Sequence, residues 1–521
     1  MFDRWLGFNI HYYLQVLGVF ILAFGIPMNK VLMSIGTIWV AANIIIKGDF
    51  KSYWKNWKNN LVFWFVISVL FIHLLGLTYT EDFNYALKDL NSKLPLFSIP
   101  IALIAFPINK KHLFLALHLF LASIIITSTI NIYYFYTQHV NDYRELSRFG
   151  SHIRYALIVV TGILIAVFLW IKRKKQGYIY LLLILWLSYY TIISQVLSGY
   201  VAFAFLVLGL FIYGVVQKNK VTRISLAFLF LAITLFGLSY FYSALKPSHQ
   251  SNQLENLPEK SKHGEVYHHD TLSFWYENEN HILSYIAENE LKDAWNQRSS
   301  INFDTLIENS YPLRSILIRY MASKGLTKDK EGMKQMSDED ITNVENGVSS
   351  ILYTYPLFKR KIAVLKNNIF QYVVGGNPNG NSFLQRIEHW KAAREIIKSN
   401  WILGVGTGDI QEQFNEQYKA MNTQLHPDYW KRAHNQFLTF WVAFGIFGFI
   451  LFTGFWILYL IKNIRIKNLI GIGFTLIAIS SFLSEDTIET QQGVTYIALF
   501  LGLCSIMNSD IYGKENEETQ K

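Results

Sequence analysis

The chain has 521 residues, of which 52% are apolar, 16% are aromatic and only 16% are charged. Because a soluble domain carries about 25% charged residues, this composition excludes a disordered chain and argues against an ordinary soluble enzyme. The single cysteine, Cys504, excludes a disulfide framework and a thiolate metal cluster.

Twelve apolar stretches are candidate transmembrane helices. A helix crosses the bilayer with about 20 mostly apolar residues, and the fourth stretch is the weakest because it is short and contains three prolines. No small-residue cleavage site follows the first stretch, so we interpret it as a permanent span. The stretches lie near 8–28, 31–46, 61–78, 94–107, 113–136, 154–171, 177–197, 199–216, 224–243, 435–461, 469–484 and 492–508.

These stretches predict an all-α polytopic membrane protein in four parts. Transmembrane helices occupy 1–243 and 434–508, a long and mostly helical outer segment occupies 244–433, and 509–521 form a cytoplasmic tail. With the N-terminus inside, the short inside loops hold 19 Lys and Arg residues and the short outside segments hold 6, with Lys93 among the latter. Because cytoplasmic loops carry the excess of positive charge, this asymmetry supports the orientation.

The net charge of +10 follows from that asymmetry rather than from a binding surface for nucleic acid. The outer segment is nearly neutral, with 22 basic and 23 acidic residues, and it has no basic stripe with stacking aromatics. We therefore expect no nucleic-acid partner. The spans are almost free of ionisable residues, which favours chemistry at the outer surface over a polysaccharide transporter or flippase.

The outside loop at 137–153 and the start of the next span place Arg148 and Arg154 on the outer side, against the charge rule. Two explanations stay open. The arginines bind an anionic ligand at the outer face, or they extend from helix ends towards the lipid headgroups.

The outer segment contains two predicted helix starts. Ser337 and Asp340 have the spacing of a capping box, and Asn381 or Ser382 can cap a helix that runs to about Ser399. Both patterns indicate that the outer segment is folded.

Three side chains share one face of the second of these helices, because Arg386, Trp390 and Arg394 are spaced four residues apart. Two guanidinium groups beside an indole suit an anionic and partly flat ligand. The alternative is a surface helix with solvated arginines and an indole packed against the core.

The string Gly-Val-Gly-Thr-Gly at 404–408 lacks the Lys of a phosphate-binding loop and the strand of a dinucleotide fingerprint. It indicates a tight turn that lets a helix pack closely. Arg432 and His434 follow where the outer segment re-enters the membrane, and His434 is either a titratable catalytic group or an interfacial residue. Gly445 and Gly448 let this span pack against a neighbouring helix.

An acidic group lies between the last two spans and consists of Glu485, Asp486 and Glu489. These carboxylates either pair with the outward arginines or form a solvated acidic turn. The spacing of His and carboxylates is not that of a metal site, so we expect no metal and no cofactor.

Three features taken together resemble the superfamily of O-antigen ligases and O-antigen polymerases, in the version of Bacteroidetes-type bacteria. They are the polytopic membrane architecture, the single long outer segment, and a set of ordered motifs. The motifs are Arg-Ile-Glu-His-Trp-Lys-Ala-Ala at 386–393, Leu-Gly-Val-Gly-Thr-Gly at 403–408 and His-Asn at 434–435. Weaker motifs are Arg-Phe-Gly-Ser at 148–151 and Ser-Gly-Tyr at 198–200.

The resemblance implies a GT-C-like glycosyltransferase of the bacterial inner membrane with its site on the periplasmic side. The transfer is inverting and independent of metal. The donor is a glycan on undecaprenyl diphosphate, the acceptor is a lipid A-core hydroxyl or another glycan, and membrane lipids surround the polyprenyl tail. A polysaccharide polymerase of the same superfamily stays an alternative, although a single long segment before the His span favours a ligase.

The resemblance also implies roles for individual residues. His434 accepts the proton of the acceptor hydroxyl or orients it, and Arg386 stabilises the departing diphosphate. Many members carry an arginine for the diphosphate in the motif that is Ser198-Gly199-Tyr200 here, so another arginine is expected to replace it. The residues expected to bind substrate are Arg148, Arg154, Trp390, Arg394, Arg432 and Glu489.

Overall fold

The computed structural model describes residues 9–138, 143–172, 177–246, 254, 256–307 and 311–507. α-Helices dominate these residues, and the only strands among them form two short hairpins. The helices that precede the polar segment are α1 (Ile10–Met28), α2 (Lys30–Lys47), α3 (Phe50–Trp57), α4 (Leu61–Gly76), α5 (Phe83–Ala105), α6 (Lys110–Thr137), α7 (His152–Lys172), α8 (Gly177–Ser194), α9 (Leu197–Val215) and α10 (Lys220–Leu245).

The polar segment also contains α-helices, but they cover fewer than half of its described residues, whereas the sequence predicts a mostly helical segment. Its helices are α11 (Glu288–Asn296), α12 (Leu313–Ser323), α13 (Lys330–Lys334), α14 (Asp338–Glu345), α15 (Leu357–Val373), α16 (Ser382–Ser399) and α17 (Ile410–Ala420). Its hairpins are β1 (Tyr276–Glu277) with β2 (Asn280–His281) and β3 (Leu306–Ile307) with β4 (Tyr311–Pro312), both antiparallel. The last helices are α18 (Gln436–Arg465), α19 (Leu469–Phe482) and α20 (Gln491–Met507).

Nine helices of the described residues are long and apolar enough to cross a membrane. They are α1, α2, α4 with the turn that extends it to Tyr79, α6 to α10, and α18. The helices α19 and α20 are apolar but shorter. The prediction of an all-α polytopic membrane protein is therefore confirmed.

The helix α5 corrects the prediction at the fourth apolar stretch. The sequence begins that stretch at residue 94, whereas the helix begins at Phe83 and continues through two prolines to Ala105. Its first half includes Asp89 and Lys93, which are buried and paired at 2.6 Å. Lys93 therefore lies in a helix and is buried, whereas the sequence assigned it to an outside loop. Both residues precede the predicted span at 94–107, so the expectation that the spans are almost free of buried charge stays a prediction.

Helix packing brings the ends of distant segments together in the membrane part. The helix α5 packs against α20, α18 packs against α4 and α19, and α19 packs against α7 and α9. The start of α18 and the turn between α19 and α20 therefore lie beside the first turns of α5.

Internal contacts divide the chain into two compact units. The first comprises Met1–Leu226, His389–Asn422 and Trp430–Lys521, and the second comprises Ala227–Glu388 and Thr423–Tyr429. The four-part division of the sequence stays a prediction. Its cytoplasmic tail at 509–521 lies outside the described residues.

The second unit has an apolar core of its own, centred on Trp295, Phe303 and Leu317. The predicted capping box is confirmed at the start of α14, where the Ser337 hydroxyl accepts from the backbone N–H of Asp340 and the Asp340 carboxylate accepts from that of Ser337. Such a cap stabilises a helix by about 1 kcal/mol.

Candidate functional site

The glycine string at 404–408 is part of a loop that pairs with an interrupted helix. The helix α18 breaks at Gly445, which has φ of 62° and ψ of −156°. The break leaves backbone groups without partners inside the helix, and the loop supplies them. The N–H groups of Val405 and Gly406 donate to Val442 O and Ala443 O, both at 2.9 Å.

A further hydrogen bond joins the same loop to the part of α18 that follows the break. Ile446 N–H donates to Trp401 O at 2.8 Å. A Cβ atom at position 445 would lie 2.0 Å from Ile402 O. Gly445 therefore allows close approach of a loop, and not of a neighbouring helix as the sequence predicts. The expected tight turn at 404–408 is present, with Gly404 at φ of 73°.

We expect Gly445→Ala to destabilise the protein by about 2–4 kcal/mol, because the side chain would require both a strained backbone and displacement of the loop. The matched control is Gly454→Ala in the same helix, where a Cβ atom meets nothing within 4 Å. Thermal unfolding of the purified protein measures both changes. Equal melting temperatures for the two variants would contradict this role of Gly445.

His434 immediately precedes α18 and has a left-handed backbone, with φ of 46°. Its N–H donates to Asp486 Oδ2 at 3.0 Å, and the other oxygen of Asp486 accepts from the Thr439 hydroxyl at 2.6 Å. Asn435 caps the helix by accepting from the N–H groups of the first turn. A non-glycine residue in this conformation costs about 1–2 kcal/mol, so the surrounding hydrogen bonds hold His434 in place.

The imidazole of His434 lies at the edge of the buried region, with 34% of its side chain exposed. Its Nδ1 atom is buried and lies 3.6 Å from Glu485 Oε2. The same carboxylate oxygen is 3.9 Å from Arg154 Nη2, and the His389 ring lies 5.1 Å from the His434 ring. The exposed part of the imidazole is therefore the part away from Nδ1, which includes Nε2.

Burial raises the pKa of the Asp486 carboxyl, and the nearby His434 together with the hydrogen bond from Thr439 opposes that shift. Asp486 is thus an internal hydrogen-bond acceptor that positions the backbone of His434, whereas Glu485 faces the ring.

Four charged side chains form a buried network beside this segment. Lys93 Nζ is 2.6 Å from both Asp89 Oδ2 and Glu489 Oε2. Arg432 donates to Glu489 Oε2 at 2.9 Å and to Asp89 Oδ1 at 3.2 Å. Gln436, the first residue of α18, donates to Glu489 Oε1 at 3.0 Å. Two positive and two negative charges therefore compensate each other, and they connect α5 to the residues on either side of His434.

The acidic group at 485–489 is not a solvated turn. Glu485 is 3% exposed and Asp486 is 7% exposed, and Glu489 pairs with Lys93 and Arg432. Of the two alternatives, pairing with an outward arginine is the one found, between Glu485 and Arg154.

Arg148, Arg154 and Arg432 differ in how much of the guanidinium group is exposed and free to bind a ligand. Arg148 is exposed, and its guanidinium lies 3.7 Å from the centroid of the Tyr134 ring. Arg154 is half-buried, and only 13% of the Arg432 side chain is exposed. Arg432 also donates from Nε to the Tyr85 hydroxyl at 2.9 Å, so its hydrogen-bonding groups are largely occupied.

The helix α16 has the predicted extent, and the Asn381 side chain caps it by accepting from Phe383 N–H at 2.9 Å. Arg386 is half-buried and donates to Ser382 O at 3.2 Å. Trp390 is half-buried, and its buried Nε1 has no hydrogen-bond partner among the described residues. Arg394 is exposed. Arg386 belongs to the second unit, and Trp390 and Arg394 belong to the first.

Four residues of this region are not among the site residues that the sequence predicts, and they are Tyr85, Asp89, Lys93 and Gln436. Asp89 and Lys93 have the four-residue spacing of a helical ion pair, which is a signal for the network. Hydropathy hides this signal, because charged residues lower the value by which spans are recognised.

Residues 346–453 match the family model described as O-Antigen ligase. The matched segment includes α16, the glycine loop, His434 and the first part of α18. The match of this segment supports the resemblance of the chain to the superfamily of O-antigen ligases and polymerases. Among curated proteins, none matches the chain. The O-antigen ligase segment contributes Arg432 and His434. The partners of Arg432, which are Asp89 and Glu489, and those of His434, which are Glu485 and Asp486, come from outside it.

The match points to a membrane enzyme of the glycosyltransferase type, with activity of the O-antigen ligase or polymerase kind in general. It agrees with the nine candidate spans, which make the protein multi-pass.

Proposed function

We propose that the protein is an O-antigen ligase of the bacterial inner membrane. It moves a glycan from undecaprenyl diphosphate to a lipid A-core hydroxyl, or to another glycan acceptor, on the periplasmic side. The observation that carries the proposal is the partly exposed imidazole of His434, a residue of the O-antigen ligase segment. Its backbone N–H donates to Asp486 and its ring faces Glu485.

The reaction forms one bond and breaks one bond. The acceptor oxygen attacks the anomeric carbon from the face opposite the diphosphate, and the bond from that carbon to the phosphate oxygen breaks. Inversion of the anomeric centre follows from this direction of attack. The acceptor proton passes to the imidazole of His434, and undecaprenyl diphosphate leaves.

His434 is suited to the proton transfer because an imidazole nitrogen can accept a proton and this imidazole is partly exposed. The carboxylate of Glu485, 3.6 Å from Nδ1, stabilises the imidazolium that forms after the transfer. A positioned general base of this kind contributes about 10²–10⁴-fold to the rate.

The leaving diphosphate requires positive charge. We assign this role to Arg386 together with Arg148 or Arg154, because a guanidinium binds two phosphate oxygens at once. Arg432 is less suited, since Glu489 and Asp89 already compensate its charge. Trp390 and Arg394 would contact the sugars, and Glu489 would act through Arg432.

An in vitro assay tests the proposal directly. The purified protein is incubated with a defined undecaprenyl-diphosphate glycan and lipid A-core, with and without EDTA. Transfer in both conditions, with inverted anomeric configuration, supports the proposal. Loss of transfer in EDTA that a divalent cation restores would overturn the metal-independent mechanism.

A strain that lacks the gene separates ligase from polymerase. A ligase defect leaves long polymer on the lipid carrier, whereas a polymerase defect leaves single repeat units. Accumulation of single units would replace the ligase assignment by the polymerase of the same superfamily.

We expect Arg386→Lys to lower transfer by at least about tenfold, because an ammonium group cannot reproduce the two parallel hydrogen bonds of a guanidinium. The control is Arg360→Lys in α15 of the same unit. Initial rates over a range of donor concentrations measure the effect. Unchanged turnover in Arg386→Lys would assign the diphosphate to another arginine.

A further inference from the structure

The second unit contains a cavity of about 450 Å³, which lies within the range of about 300–1,000 Å³ that is typical of small-ligand sites. Its walls come from β2 with the turn that follows, and from the segment that leads into α13. The polar residues that line it are Asn280, His281, Ser284, Tyr285, Thr327 and Lys328. All of them precede residue 346, so the cavity lies outside the O-antigen ligase segment.

His281 provides the cavity with a hydrogen-bond acceptor. The side chain is buried, and burial lowers the pKa of the imidazole, which is therefore neutral at physiological pH. Its Nε2 lies 3.0 Å from Ser273 O, and only a nitrogen that carries hydrogen can bond a carbonyl. Nδ1 is then the unprotonated nitrogen, and it has no hydrogen-bond partner among the described residues.

Lys328 provides the cavity with a donor. The side chain is buried, and its Nζ donates to His281 O at 3.0 Å and to Ser284 O at 3.1 Å. Burial lowers the pKa of Lys328 to about 7, so the amine and the ammonium forms are both present near neutral pH. The ammonium form has a third hydrogen that the two carbonyl oxygens do not use. A neutral ligand is compatible with both forms.

A ligand that complements this lining must both donate and accept hydrogen bonds. A sugar hydroxyl does both, so it matches in chemical type an unprotonated nitrogen such as that of His281 and a nitrogen donor such as that of Lys328. The hydroxyls of Ser284 and Thr327 add further polar partners. Tyr285 adds an aromatic ring that can pack on the apolar face of a sugar ring.

Tyr285, one of the lining residues, has a left-handed backbone with φ of 58°. A residue other than glycine in this conformation costs about 1–2 kcal/mol, so the surrounding structure holds it there. Asn278 and Glu279 also have positive φ, but they form the two-residue turn between β1 and β2, where positive φ is the usual hairpin geometry.

We propose that this cavity is a carbohydrate subsite that holds a sugar unit of the transferred glycan and contributes to the choice of glycan. The proposal rests on the transfer function above. It assigns substrate recognition to a part of the chain that the superfamily match does not cover.

The test is a binding titration with the full-length protein in lipid nanodiscs. The probe is the oligosaccharide that mild acid releases from the host strain's own surface polysaccharide, and saturation-transfer NMR detects its binding. We expect Lys328→Met and Tyr285→Asn each to weaken binding roughly tenfold. Asparagine tolerates positive φ, so Tyr285→Asn keeps the backbone and tests the ring even if Lys328→Met fails to fold.

Two exposed residues of the same unit provide matched controls, as Lys334→Met and Tyr311→Asn. Binding that is as tight in Lys328→Met and Tyr285→Asn as in these controls would overturn the subsite, as would the absence of binding to the wild-type protein. The His434→Asn variant distinguishes the two proposals. If it binds the oligosaccharide normally but transfers nothing, both are supported. If it transfers normally while Tyr285→Asn loses binding, the proposed base fails and the subsite stands. If the wild-type protein binds the oligosaccharide but transfers nothing in the in vitro assay, the proposed function fails and the cavity remains a carbohydrate site.

Discussion

Replacement of His434 by asparagine is expected to reduce glycan transfer by about 10²–10⁴-fold without loss of the protein from the membrane. The reduction follows from removal of the group that accepts the hydroxyl proton. Asparagine is the informative substitution because it tolerates the left-handed conformation that His434 adopts, with φ of 46°. The hydrogen bond from the backbone of this residue to Asp486 can then persist.

The alanine variant separates chemistry from backbone strain. His434→Ala removes the imidazole and also puts a less tolerant residue at positive φ, so it should lose transfer to the same extent and lose some stability in addition. His426→Ala is the matched control, because His426 is an exposed histidine of the polar segment. Transfer is measured with a fixed concentration of the lipid-linked donor. Near-normal transfer by His434→Asn would remove the proposed base.

The features that the sequence predicted correctly depend on short stretches of chain. The capping box at Ser337 and the extent of α16 follow from side chains that bond the backbone a few residues away. His434 at the start of a span was visible for the same reason, since a polar residue adjoins a long apolar run. Features of this kind can be predicted because the interacting residues are close together in the sequence.

The features that the sequence missed depend on partners far along the chain. Hydropathy excluded Lys93 from a buried helix, yet Glu489, which is 396 positions away, compensates its charge. Gly445 indicated contact with another helix, whereas its partner is the loop at 401–406. The cost of burying a charge or breaking a helix can be judged only when the compensating group is known.

The buried network of Asp89, Lys93, Arg432 and Glu489 holds the segment that contains His434. Arg432 lies two residues before His434, and Gln436 lies two residues after it. Both bond Glu489, which in turn bonds Lys93 of α5. His434 is therefore held between two contacts to a single carboxylate, and any change in that carboxylate or its cations affects the position of the imidazole.

Replacement of Lys93 by methionine is expected to lower the free energy of unfolding by about 3–5 kcal/mol, because it leaves a buried negative charge uncompensated. The change should also reduce transfer, since the segment that holds His434 loses a contact. Lys88→Met is the matched control, as Lys88 is exposed in the same helix. Thermal unfolding in detergent and the transfer assay measure the two effects.

A double variant tests whether charge balance is the cause. In Lys93→Met with Glu489→Gln, Arg432 and Asp89 remain as a balanced pair at 3.2 Å. The loss in the free energy of unfolding should therefore be smaller in the double variant than the sum of the losses in the two single variants, by more than about 1 kcal/mol. Strict additivity would mean that Lys93 stabilises the protein through the packing of its methylene groups. In that case methionine, which has a similar unbranched chain, should itself cause little loss.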